Sequence, residues 1–75
     1  MHHVVGRDGR SYDGSWDEIV EQLREHSMSS GQTIEEYMQN ESRRGLSLTG
    51  HLISTTTTES FVRDCADAGL LRIVS

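Results

Sequence analysis

The sequence predicts an α+β fold: an N-terminal β-hairpin, three α-helices and a C-terminal β-strand that completes a small antiparallel sheet. Three observations predict it. An Asp-Gly dipeptide lies between two short extended segments near the N-terminus, three helix-start patterns follow, and the chain ends in an apolar run at 70–74. We expect this last strand to pair with residues 4–5, and the helices to cover one face of the sheet.

The hairpin is predicted from Asp8-Gly9, which separates Val4-Val5 from Ser11-Tyr12. A two-residue type I′ turn needs a positive φ at both central positions, and Asp-Gly is among the dipeptides that favour it. We therefore expect Asp8 and Gly9 to be the two central residues of the turn.

The first helix has the clearest signal. Ser15 and Glu18 form a capping box, in which each side chain accepts a hydrogen bond from the other residue's backbone N–H. Apolar residues then recur at i, i+3, i+4 and i+7, and these are Trp16, Ile19, Val20 and Leu23. His26 closes the helix at its negative end, before a loop at 27–32. We expect Trp16 to be the main core residue; the alternative is an exposed anchor for a partner.

A second capping box, at Thr33 and Glu36, begins the second helix. We expect this helix to end at Gly45, because glycine is the residue that most often terminates a helix. Arg43 and Arg44 would then be cations in its last turn, where they suit the negative end of the helix dipole.

From Glu41 onward, the apolar residues are spaced less regularly than in the first helix. Glu41 and Ser42 interrupt the apolar stripe of the second helix, so a turn of irregular chain or a partner should cover that gap. Residues 46–55 fit neither the helical nor the strand period. A third capping box is expected over Thr56–Glu59, and the helix that it begins should end at Gly69, before the final strand.

Composition limits the class of protein. The chain has 75 residues, enough for one domain over 1–75, and 33% of them are hydrophobic, which allows only a thin core. Self-association as a homodimer would bury further apolar surface. The net charge is −5 and all seven basic residues are arginine, a balance that disfavours general nucleic-acid binding. With one cysteine, no signal peptide and no membrane span, we expect a cytoplasmic protein.

No cofactor, metal or catalytic site is expected. The possible metal ligands are His2, His3, His26, His51 and Cys65. None of them has the paired spacing of a structural zinc site, and whether any histidine is functional stays open. His3 behind a free amine could form a square-planar copper or nickel site, but any chain with histidine at that position would qualify. The paired carboxylates lie on outer helix faces, and Cys65 lies on an apolar stripe with Phe61, so we expect no enzymatic activity.

The arginines provide the only candidate binding site. Arg7 and Arg10 flank the hairpin turn, and Arg43 and Arg44 lie near the end of the second helix. If the two regions are neighbours, these four residues, with Tyr12 beside them, form a local anion-binding face on an acidic protein. The alternative is that the arginines pair with nearby aspartates or serve as helix-end cations.

The functional hypothesis is a small protein-interaction or regulatory module without catalytic activity. It is based on the small size, the thin stripe of the second helix, the acidic charge and the lack of a catalytic motif. The alternative is a nucleic-acid-associated regulator that uses the arginine patch.

Overall fold

The computed structural model describes residues 1–27 and 31–74. Three antiparallel strands form one sheet with the order β2-β1-β3; the first and third helices pack against it, and the second helix packs on those two helices. The elements are β1 (His2–Gly6), β2 (Ser11–Gly14), α1 (Trp16–Glu25), α2 (Ile34–Thr49), α3 (Thr58–Asp67) and β3 (Leu71–Ile73). The predicted α+β architecture is confirmed, although part of the predicted loop at 27–32 lies outside the described residues.

The sheet has β1 at its centre. Val4 pairs with Tyr12 on one side and with Ile73 on the other, so the last strand lies against the first, as expected. Side chains alternate between the two faces of a strand. Val4 and Tyr12 accordingly point into the core, whereas Ser11, Asp13 and Arg72 are exposed.

The hairpin turn differs from the predicted type I′ turn. The Gly9 N–H donates to the Gly6 carbonyl at 3.1 Å and the Gly6 N–H donates to the Arg10 carbonyl at 2.7 Å, which leaves a three-residue loop. Gly9 has a φ of +88°, but Asp8 is not in the left-handed region, so only one residue has a positive φ. The Asp8 carboxylate accepts from the Arg10 N–H at 3.1 Å, an interaction that favours this longer loop.

Helices α1 and α2 begin at the predicted capping boxes. The Glu18 N–H donates to the Ser15 hydroxyl, and the Glu36 N–H donates to the Thr33 hydroxyl, each at 3.1 Å. The third box lies one residue later than predicted. Thr57 is the N-cap and its hydroxyl accepts from the Ser60 N–H at 3.1 Å, so Ser60 takes the place expected for Glu59. Serine can make the reciprocal bond, because its hydroxyl is both donor and acceptor.

Helix α2 does not end at Gly45, and that prediction is wrong. The helix continues to Thr49 and is capped by Gly50, which has a φ of +72°. Gly45 is buried inside the helix because the side chain of Ile53 lies over it: an added Cβ would be 2.4 Å from Ile53 Cδ1. The glycine here permits close packing instead of terminating the helix.

Arg43 and Arg44 consequently lie within α2, and the predicted role as last-turn cations is wrong for both. The gap in the stripe of α2 is filled by irregular chain. The Ser42 hydroxyl donates to the Ile53 carbonyl at 2.7 Å, and Ile53 is the buried residue of the segment after the helix. Residues 46–49 thus belong to the helix and 50–55 are irregular chain, which explains why neither the helical nor the strand period fits 46–55 as a whole.

The core lies between the sheet and the helices. Its largest fully buried side chains are Phe61, Ile19, Val4, Val20 and Val62. Trp16 is not the central core residue that the sequence suggested. It lies at the edge, partly buried, where its ring stacks on His2 at a centroid distance of 3.7 Å and the Arg63 guanidinium lies 5.4 Å away. Among the described residues, no helix has the length and apolar character needed to cross a membrane.

Candidate functional site

A cleft lies between the hairpin loop, α2 and the turn that joins α3 to β3. It consists of two adjoining hollows of about 350 and 390 Å³, which share a common set of lining residues. The shared residues are Asp8, Tyr12, Leu23, Tyr37, Glu41 and Arg44. We call this surface the Tyr12 cleft.

One face of α2 forms a wall of the Tyr12 cleft. Tyr37, Glu41, Arg44 and Leu48 recur at i, i+4, i+7 and i+11, the spacing that aligns side chains along one side of a helix. This alignment depends on the continuation of the helix through Gly45. Because the predicted helix ended at Gly45, Leu48 was not expected on this face. Tyr37 and Glu41 precede Gly45, and they were missed because the sequence does not show which face of the helix lies beside the hairpin.

The floor of the Tyr12 cleft is apolar and aromatic. Tyr12 and Tyr37 are buried, and Phe61 and Cys65 lie beneath them. Burial raises the pKa of the Tyr12 and Tyr37 hydroxyls above the usual range, and nearby carboxylates act in the same direction. Burial also raises the pKa of the Cys65 thiol to about 12. These groups are therefore neutral at pH 7, and a protonated thiol is a poor nucleophile.

The rim of the Tyr12 cleft carries the charges. Three arginines (Arg7, Arg10 and Arg44) face two carboxylates (Asp8 and Glu41), so the rim has one net positive charge on a protein of net charge −5. The pairing is loose, because the Arg10–Asp8 and Arg44–Glu41 ion pairs are both 3.4 Å long and all these side chains are exposed except Glu41, which is half-buried. Exposed pairs of this kind contribute only about 0–1 kcal/mol, so these guanidinium groups can change partner at low cost.

Arg7 and Arg10 differ in their surroundings. Within residues 1–27 and 31–74, Arg7 makes no ion pair. Arg10 has two side-chain partners: it forms the ion pair with Asp8, and its guanidinium lies 2.8 Å from Nδ1 of His26 at the end of α1. Arg7 is thus the arginine on the rim that is most available to an incoming anion.

The structure brings together four of the five residues singled out from the sequence. Arg7, Arg10, Tyr12 and Arg44 all line the Tyr12 cleft. Arg43 does not: it points to shallower hollows beside Leu46 and Asn40, on another face of α2. The predicted juxtaposition of the hairpin with the second helix therefore holds for three arginines and not for four.

A larger hollow, of about 520 Å³, lies elsewhere, beside the N-terminus of α3. Its wall is formed by the carboxylates Asp17, Glu21 and Glu35 and by the threonines at 55–58. It lacks the combination of aromatic floor and arginine rim that the Tyr12 cleft has. We therefore take the Tyr12 cleft as the candidate site, because its residue types are those enriched at recognition sites.

The four histidines lie in different places. His26 borders the Tyr12 cleft, and His2 stacks on Trp16. His3 Nδ1 is bonded to Asp13 Oδ1 across the strand pair, so this nitrogen would have to leave Asp13 to complete an N-terminal copper site. His51 lies close to two aspartates of α3.

Comparison of this chain with protein-family models, curated proteins and solved structures gave no match.

Proposed function

We propose that the chain is a small protein-interaction module without catalytic activity, and that its Tyr12 cleft binds a partner segment combining apolar side chains with carboxylates. The observation that carries the proposal is the convergence of Arg7, Arg10 and Arg44 around a floor of buried aromatic rings. Aromatic residues and arginine are the types enriched at the centres of protein interfaces.

The apolar part of the proposal is supported by Leu48. Its side chain is 71% exposed at the rim of the cleft, one helical turn beyond Arg44. Burying a leucine that was exposed stabilises a complex by about 1.5–3 kcal/mol. An apolar partner side chain seated on Tyr12 and Tyr37 would cover Leu48 at the same time.

The charged part of the proposal is supported by the rim. A partner carboxylate placed between Arg7 and Arg44 would meet two available guanidinium groups. Arg7 forms no ion pair within the described residues, and Arg44 forms only the 3.4 Å pair with Glu41. Arginine suits this role because its planar fork can bind a carboxylate through two parallel hydrogen bonds. The acidic remainder of the protein would repel acidic segments elsewhere, and this repulsion would direct them to the cleft.

The test is a selection of peptides from a random display library on the full chain, followed by affinity measurements with a synthetic copy of the selected peptide. We expect enrichment of peptides with Asp or Glu next to Leu, Phe or Trp. Arg44→Glu should weaken binding at least about tenfold, which corresponds to about 1.4 kcal/mol. Arg44→Glu and its control Arg43→Glu should both fold, since each changes an exposed position on the surface of α2.

Arg43→Glu is the matched control, because it makes the same charge change one residue away on the same helix but outside the Tyr12 cleft. We expect it to change the affinity by less than about twofold. Equal loss in both variants would show that only the net charge matters. Selected peptides without carboxylates, or binding that is insensitive to Arg44→Glu, would overturn the proposal.

Nucleic acid is the competing occupant. If the three cleft arginines neutralised phosphates of a single strand, the logarithm of the binding constant would fall with the logarithm of the salt concentration with a slope of about −2, at about −0.7 per phosphate. A short single-stranded oligonucleotide is therefore included in the affinity measurements. Binding of it with that slope, together with no enrichment of acidic peptides, would replace the protein-interaction proposal.

Self-association is the other competing occupant. Leu46 and Leu52 are 43% and 77% exposed near the end of α2, so a second copy could cover them together with Leu48. Sedimentation equilibrium of the wild type and of Leu48→Ser distinguishes the two cases. A dimer that Leu48→Ser dissociates would assign the cleft to a second copy.

We also propose a cytoplasmic location, which the free and buried Cys65 supports.

A further inference from the structure

A second group of functional side chains lies on the far end of α3, outside the Tyr12 cleft. His51, Asp64 and Asp67 each offer one donor atom, and all three atoms lie within 4.8 Å of one another. Asp64 and Asp67 are almost one turn apart on α3, whereas His51 follows Gly50, the left-handed cap of α2. The fold thus brings together a nitrogen and two carboxylates that are well separated in sequence.

The group is held by contacts of its own. Asp64 Oδ2 accepts from the Ser54 N–H at 2.8 Å, which orients this carboxylate and leaves its other oxygen available. The His51 N–H donates to the Thr49 hydroxyl at 3.1 Å, which fixes the backbone that carries the imidazole. Hydrogen bonds that orient ligands in this way are a general feature of metal sites.

Electrostatics at this end of α3 favour a cation. The last turn of a helix carries a partial negative charge, and the last turn of α3 contains no basic residue. Asp64 and Asp67 add two carboxylates there. Among the residues that the structure describes, His51 forms no ion pair with either of them within 4.0 Å. The two carboxylates are therefore close together, and within the described part of the chain neither of them forms an ion pair.

We propose that His51, Asp64 and Asp67 bind a divalent first-row transition-metal ion, with zinc as the expected ion and water completing its coordination. Imidazole and carboxylate together suit zinc, at about 2.0–2.2 Å from each donor atom. Tetrahedral coordination at these distances places donor atoms about 3.4 Å apart. The necessary contraction is within reach of side-chain rotation, because Asp67 is exposed and His51 lies outside the helices and strands.

The test is isothermal titration calorimetry of the full chain with ZnCl₂. A separate titration with CoCl₂ is followed by visible absorption, because the spectrum of bound Co²⁺ reports its coordination geometry. We expect one equivalent to bind. Loss of a residue that only orients a metal ligand already weakens metal binding about tenfold or more, so His51→Gln and Asp67→Asn should each weaken it by at least that factor. Both variants nearly preserve side-chain size, and Asp64 is left unchanged because it also holds Ser54.

His3→Gln is the control, because the N-terminal histidines are the other obvious metal ligands in the chain. It should leave the affinity unchanged. The proposal is overturned if no ion binds at about 1 mM, if His51→Gln and Asp67→Asn bind as tightly as the wild type, or if His3→Gln abolishes binding. Circular dichroism of each variant without metal confirms that a lost affinity is not a lost fold.

Discussion

Replacement of Gly45 by alanine tests the packing that defines the second half of α2. In an exposed helix interior, glycine to alanine raises stability by about 1 kcal/mol. Here the new Cβ would lie 2.4 Å from Ile53 Cδ1 and 3.2 Å from Leu70 Cδ1, closer than van der Waals contact allows. Overpacking in a core costs about 1–3 kcal/mol. We therefore expect Gly45→Ala to lower the free energy of unfolding, by up to about 2 kcal/mol after the helix gain is subtracted.

The double variant makes the reasoning specific. Ile53→Val removes the Cδ1 atom that the new methyl group would meet, and by itself it should cost about 0.5–1.5 kcal/mol. In Gly45→Ala/Ile53→Val the nearest atom left from residue 53 would be at the position of Cγ1, 3.7 Å away, which is ordinary contact. The double variant should therefore be no less stable than Ile53→Val alone, with a coupling energy of about 1–3 kcal/mol.

Urea unfolding followed by far-ultraviolet circular dichroism measures the four free energies. Two results would refute the reasoning. If Gly45→Ala stabilised the protein by the full helix propensity, Ile53 would not lie over Gly45. If Gly45→Ala were destabilising and its effect simply added to that of Ile53→Val, the destabilisation would not come from a clash with Ile53. It would instead come from the backbone conformation of residue 45, as it would if Gly45 ended the helix.

Further predictions concern the core thiol and the third helix cap. Because burial raises the pKa of Cys65 to about 12, the folded protein should react with a thiol reagent at pH 8 at least about tenfold more slowly than the urea-unfolded chain; equal rates would contradict the burial. Folding raises the pKa values of Cys65 and Tyr37 and so favours their neutral forms. The free energy of unfolding should therefore be constant below about pH 8.5 and fall as the pH rises towards 12. An unchanged urea midpoint at pH 11 would argue against this. Thr57→Ala should cost about 1 kcal/mol of unfolding free energy and Thr56→Ala distinctly less, whereas the reverse order would favour the cap one residue earlier.

The parts of the fold that the sequence predicted correctly depend on local chemistry. The capping boxes at Ser15 and Thr33 involve residues three apart, so their hydrogen bonds can be inferred without tertiary structure. The third box shows the limit of this approach. Thr56 with Glu59 fits the usual pattern of Ser or Thr followed three residues later by Glu or Gln, but the folded chain uses Thr57 with Ser60, which does not fit it.

The errors at Gly45 and Trp16 come from contacts between residues distant in sequence. Whether Gly45 ends a helix or lies under another side chain depends on Ile53, which no local pattern connects to it. Trp16 has the spacing of a core residue, but it lies at the edge of the core, stacked on His2 from the first strand. Amphipathic spacing predicts which face of a helix is buried, but not how deeply each residue on that face is covered.

The candidate site was predicted in part. The sequence identified the arginines of the hairpin and of α2, but their convergence on one cleft depends on how α2 packs beside the hairpin loop. The separation of Arg44 from Arg43 follows from helix geometry, since adjacent residues point about 100° apart. Both arginines also lie within the helix that the sequence predicts, so their separation could have been inferred; which of the two lies beside the hairpin could not.

The central claim is that the Tyr12 cleft is the surface that binds a partner. Its most direct test is a titration of the ¹⁵N-labelled chain with a selected acidic and apolar peptide, followed by two-dimensional NMR. We expect the largest chemical-shift changes at Arg7, Tyr12, Tyr37, Arg44 and Leu48, with little change at 55–58. Changes concentrated at 55–58 or around Arg43, with the cleft residues unmoved, would contradict it.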